Sequence, residues 1–231
     1  MTLPPSLDEK KADEAVRVLH AYYAPISEDS GFTGGAWDAF DPSGTRATSA
    51  NTFTADDLVA CALLGAPIHG RATVELLQRQ RSRFEKLLVA IGPDRDFVEV
   101  ASADGPDFEA VRSLYSALQG LAGIGETRAT KLIARKRPRL VPIVDDVIKR
   151  TVFNNATRHW SPLHEALNKD EKALWNRLVH LREQADLSPY VSVLRVFDVL
   201  AWMEGSGNSG RVLRGEPIRV DEEDGQPTDE A

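Results

Sequence analysis

Cysteine is nearly absent from this chain: Cys61 stands alone in 231 residues. One thiol can make neither an internal disulfide nor a cysteine-based metal cluster. Its apolar setting, LVACALL, reads as that of a small core residue. No apolar run reaches eighteen residues, so no membrane span is expected. The opening MTLPPSLDEKKADEAV lacks the apolar core of a signal peptide, which leads to the expectation of a cytoplasmic protein. There is no Walker loop and no dinucleotide fingerprint. The histidines His20, His69, His159, His164 and His180 form no H-E-x-x-H spacing, so neither a metal nor a cofactor is expected. Strand signal is confined to RDFVEVAS, residues 95–102, which reads as a short strand or an extended connector, and no repeat of 20 to 50 residues is evident.

What the chain does have is helical periodicity. Apolar residues recur at helical spacing over residues 8–24, 71–91, 107–118, 163–185 and 189–204. Thr54, followed by Ala-Asp-Asp, reads as an N-cap opening a helix to about Leu64, and Gly92-Pro93 reads as a stop. The expected fold is an all-α globular bundle of about eight helices with little or no strand. A single domain is expected over residues 1–204, with residues 1–6 frayed. The Gly-, Ser- and then acid-rich stretch 205–231 is expected to be a flexible acidic tail. Between Pro25 and Asn51 lies a long connector with few periodic residues but with Phe32, Trp37 and Phe40, expected to anchor it as a cover over the core, with a ligand loop as the alternative. Tyr22, Tyr23 and Trp37 are candidates to line a base pocket by stacking, although core positions are the commoner fate of such residues.

Charge is distributed unevenly. The net charge is −7, but residues 128–150 hold eight Lys and Arg against Asp145 and Asp146, giving that window +6 and the remainder −13. A cationic stripe on an acidic body would orient the molecule on a polyanion.

That window follows a tight glycine turn, Gly123-Ile124-Gly125. A glycine turn feeding a helix leaves unpaired main-chain amides at the positive end of the helix dipole, where an anion can sit. In the following segment Ala129, Leu132 and Ile133 share one helical face, while Arg128, Lys131 and Arg135 share another. This arrangement suits a helix–hairpin–helix unit with its following helix, at about residues 107–152. The residues expected to meet nucleic acid are Gly123, Ile124, Gly125, Thr127, Arg128, Lys131, Arg135, Lys136 and Arg137. Asp145 and Asp146 then open another apolar-periodic segment. There Asp145 reads as an N-cap or first-turn acid, and Asp145–Lys149 and Asp146–Arg150 as favourable i,i+4 pairs.

Residues 121–150 resemble the hairpin-to-aspartate region of the helix–hairpin–helix DNA glycosylase superfamily, the group that includes endonuclease III. The matching residues are Leu121, Gly123, Ile124, Gly125 and Ala129, then Val144, Asp145, Ile148 and Arg150. The resemblance covers about thirty of 231 residues; the whole chain also looks like uncharacterised bacterial proteins carrying this hairpin. It implies a role in DNA repair with Asp145 as the catalytic carboxylate, acting on a base flipped from the stack. The departures narrow that implication. Thr127 stands where bifunctional members have a Schiff-base lysine, which excludes lyase chemistry by that route. Ala122 replaces the hairpin proline, and a single cysteine cannot hold an iron–sulfur cluster.

The leading expectation is a protein that grips the phosphate backbone of DNA, or RNA, with little sequence specificity. The alternatives are a monofunctional glycosylase-like enzyme using Asp145, and a protein-interaction module in which the basic stripe meets an acidic partner, the chain's own tail included.

Overall fold

The computed structural model describes residues 1–27 and 31–218. Among these there are twelve α-helices and no strand, which agrees with the all-α expectation. Helix α1 (Ala12–Tyr22) precedes the long connector, whose one short helix is α2 (Gly34–Trp37). Helix α3 (Ala55–Leu63) starts at Thr54 with a reciprocal capping box: the Thr54 hydroxyl accepts from the Asp57 amide and the Asp57 carboxylate accepts from the Thr54 amide.

The segment expected as one helix over residues 71–91 divides into α4 (Gly70–Val74), a π-turn at Glu75–Arg79, and α5 (Arg81–Ile91). The RDFVEVAS stretch is a short 3-10 turn, not a strand; its Phe97 is fully buried. Helix α6 (Glu109–Gln119) buries Val111, Leu114 and Leu118 and leads through the glycine turn into α7 (Glu126–Lys136). After α8 (Asp146–Thr151), the segment 163–185 forms two helices, α9 (Trp160–Asn168) and α10 (Ala173–Gln184). They are separated because Asp170, Glu171 and Lys172 all take positive φ, which no helix accommodates. Ser192 caps α11 (Val193–Gly205), which is buried along most of its length.

Two expectations about the ends are corrected. Residues 1–6 are not frayed: the Thr2 amide donates to the Val152 carbonyl at 2.7 Å, and Ser6 and Leu7 are buried. The stretch after Gly205 is not all tail. Helix α12 (Asn208–Arg214) starts past Gly207 and packs on α1 and α11, with Val212, Leu213 and Ile218 against the core. The acidic run Asp221–Asp224 lies outside the described residues.

The largest surprise is α7. Residues 129–136 of this helix are all buried, cations included. It runs through the middle of the molecule, with α6 on one side and α3 on another.

Candidate nucleic-acid interface

The turn between α6 and α7 is built from three local causes. Gly123 takes φ +84°, a conformation costing a side-chain-bearing residue about 1–2 kcal/mol. Ile124 is buried to 4% exposure and pins the turn to the core, its amide donating to the Leu121 carbonyl at 3.0 Å. Gly125 is the N-cap of α7 and supplies no side-chain cap, in contrast to Thr54, Asp145 and Ser192 at the starts of α3, α8 and α11. A Cβ placed on Gly123 or Gly125 would meet nothing within 4 Å, so this corner is open. Ile124, expected among the contact residues, is instead a packing residue: its side chain is core and its amide is taken by the Leu121 carbonyl.

The first-turn acid, Glu126, would repel an anion were it free. Its carboxylate is turned away into a compensating cluster. Lys149 Nζ lies 2.7 Å from one oxygen, while the Tyr115 hydroxyl and His159 Nδ1 each lie 3.1 Å from the other. The hydrogen bond to Glu126, ahead of its charge, holds the Lys149 ammonium above its usual pKa range. Burial, reinforced by Glu126, pushes the Tyr115 phenol up. Lys149 therefore serves Glu126 and Asp146 rather than Asp145. Thr127 and Arg128 remain half-exposed at the corner. Arg128 donates from Nε to the Pro67 carbonyl at 2.9 Å and lies 3.3 Å from His69 Nε2, which ties the first turn of α7 to the start of α4.

The rest of the expected stripe is not a surface. Lys131, Arg135, Lys136 and Arg137 are only 4, 2, 6 and 2% exposed. Their partners explain why. Lys131 donates to the Leu64 carbonyl at 2.7 Å. Arg135 donates to the carbonyls of Trp37 and Phe40 and pairs with Asp57 at 3.3 Å. Lys136 reaches the Ser49 carbonyl at 3.0 Å and Asp57 at 2.5 Å. Arg137 donates to the carbonyls of Leu88, Gly92 and Ala50 and to the Asn51 side chain, at 2.6 to 2.9 Å. A connector with little regular structure makes few backbone ladder bonds, and its buried carbonyls accept further donors. Arg135, Lys136 and Arg137 supply them to residues 37–51. These four side chains are internal fasteners, and the contact with nucleic acid expected of them is withdrawn.

Asp145 is the N-cap of α8. One carboxylate oxygen accepts from the Ile148 amide at 2.9 Å, and the other lies 4.0 Å from Lys131 Nζ. The one open groove described below is lined by other residues. Asp145 is thus engaged with its own helix and with a buried lysine, the capping role its position suggested. The aromatic candidates are also core. Tyr22 stacks on Phe32 with centroids 5.2 Å apart, and its hydroxyl accepts from Arg195. Trp37 is 1% exposed, beneath the Arg195 and Arg135 guanidinium groups. His159 pairs with Glu126 and His164 Nε2 lies 2.7 Å from the Val100 carbonyl, so both serve packing.

Cationic residues passed over by the sequence reading lie on α4, the π-turn and α5. Residues 70–91 carry Arg71, Arg79, Arg81, Arg83 and Lys86 against Glu75 and Glu85, a net +3. The signal for them is a charge excess along one helical segment, weaker than that of residues 128–150.

Among described residues no helix is long and apolar enough to cross a membrane. No curated protein and no solved structure matches the chain. One family model matches residues 15–205, from within α1 to the end of α11, with the hairpin inside the match. The chain therefore belongs to a family of unknown function, DUF6308.

Proposed function

We propose that the protein binds the sugar–phosphate backbone of nucleic acid through the main-chain amides at the start of α7, from Gly125 to Thr127, with Arg128 beside them. One observation carries this reading: α7 begins uncapped at a glycine corner with open space in front of it. The amides of a first helical turn have no intrahelical partners and seek an acceptor. The dipole adds the equivalent of about half a positive charge there. Neutralisation of Glu126 by Lys149 removes the nearest repulsion. Such contacts position a protein without reading sequence.

With four of the eight window cations buried, the charge contribution is smaller than composition suggests. An eight-cation stripe would give a log K against log salt slope of about −7, and the structure supports a much shallower one. The test is anisotropy of a labelled DNA duplex at low salt, wild type against Gly125→Asp. Gly125 sits at φ −85°, ψ −174° with nothing near its Cβ, so aspartate fits, and at an N-cap it is at least as good as glycine. The variant should keep its unfolding temperature and lose binding. Wild-type protein that fails to bind, or a Gly125→Asp variant that binds equally well, would remove the proposal.

A further inference from the structure

We infer that the groove between α5 and α6 is a second seat for backbone phosphates, extending the contact made at the glycine corner; this rests on the proposed nucleic-acid reading. The groove is open, about 740 Å³, and carries Arg83, Lys86, Arg112, Glu109, Ser113 and Ser116. Its charge is biased. Glu109, the one carboxylate, is held by Arg112 at 2.5 Å. Arg112 also donates to the carbonyls of Ala103 and Gly105, which fixes its guanidinium at the groove wall. Among the described residues the Arg83 side chain hydrogen-bonds only Gln80, at 2.6 Å, and Lys86 has no ion-pair partner. The neighbouring carboxylates are already committed: Glu75 to Arg79 and Glu85 to Arg81. Two exposed cations are therefore left without counter-charge, beside two serine hydroxyls able to donate to phosphate oxygens.

Position supports the same ligand. Helix α6 forms one wall of the groove and leads directly into the glycine corner. From Arg112 to Gly120 the helix advances about 12 Å, which corresponds to three or four nucleotide steps at about 3.4 Å each along one strand. Arg128 tethers the corner to the start of α4, and α4 continues through the π-turn into α5, the other wall. A strand that crosses the corner and follows α6 towards Arg112 brings its next phosphates to the groove. The cationic surface expected on α7 is supplied here instead.

The test uses the full chain with Arg83→Ala and Lys86→Ala combined, both residues being exposed. Each lost phosphate contact should reduce the salt slope by about 0.9. The double variant should therefore have a slope shallower by about 1.8. Between 50 and 200 mM salt it should lose about tenfold less affinity than wild type does. The charge-keeping pair Arg83→Lys and Lys86→Arg should retain the wild-type slope. An unchanged slope in the alanine variant, with binding still lost in Gly125→Asp, overturns the groove and leaves the corner standing. A reduced slope with Gly125→Asp unaffected supports the groove and refutes the corner. Displacement of the duplex by polyglutamate at equal charge concentration would overturn the nucleic-acid assignment of the groove in favour of an acidic protein partner.

Discussion

Asp57 offers the most direct test of the interior charge. It is 2% exposed and faces both Arg135 and Lys136 while closing the capping box with Thr54. Asp57→Asn keeps the shape and much of the capping geometry but removes the only carboxylate among the described residues that is paired with either cation. Removing one partner of a buried ion pair costs about 3–5 kcal/mol, because a desolvated charge is left behind. In a chain of this size each kcal/mol moves the unfolding midpoint by about 2–4 °C, so a fall of about 6–20 °C is expected in thermal unfolding followed by circular dichroism. Lys136 provides a second check. Burial already holds its ammonium below the usual range, and Asp57 is what opposes this. A lysine with a depressed folded pKa gains stability as pH rises, so the deficit of Asp57→Asn should shrink towards pH 9. Adding Lys136→Met should recover part of the loss. A fall of less than about 4 °C, unchanged by pH, would mean that these cations reach water and that the buried-fastener account of α7 is wrong.

Other outcomes follow from the same geometry. Arg137→Met should leave the carbonyls of Leu88, Gly92 and Ala50 without a donor; at about 1–3 kcal/mol for an unsatisfied buried group, the variant should be among the least stable single substitutions in a thermal screen. Asp145→Ala should cost about 1 kcal/mol through loss of the α8 cap, and Asp145→Asn clearly less, because asparagine caps as well; equal losses in denaturant titrations would contradict the capping role. Burial, opposed by Arg195, raises Asp198 to about 6, and burial, opposed by the Arg139 amide, raises Asp94 to about 6. Both folded values lie above the unfolded carboxylate range, so folding takes up protons between the two and stability should rise as pH falls from 7 to 5. A midpoint that declines steadily over that interval would refute this, and Asp198→Asn should flatten the profile.

Much of the fold was open to reading along the chain, because its causes are local. The Thr54 cap, the Gly92-Pro93 stop and the faces of α1, α6 and α11 rest on spacing within one or two turns. The glycine turn before α7 was legible for the same reason: positive φ and an absent cap depend on which residues stand at Gly123 and Gly125. Local pattern was insufficient where helices break, as at Glu75–Arg79 and Asp170–Lys172, and where a glycine-rich stretch still packs, as in α12.

The sign and spacing of the charges on α7 were determined by sequence alone, but their exposure was not. Arg135, Lys136 and Arg137 show the same periodicity whether they face water or protein, since a long cationic side chain can snorkel or be enclosed. What enclosed them is a connector 86 to 98 residues away in the chain, whose carbonyls and Asn51 side chain accept from them. That pairing exists only once α3, α7 and the connector are folded together. The sequence therefore set where a glycine corner opens an uncapped helix, and the tertiary structure decided which of the neighbouring cations are enclosed and which stay exposed.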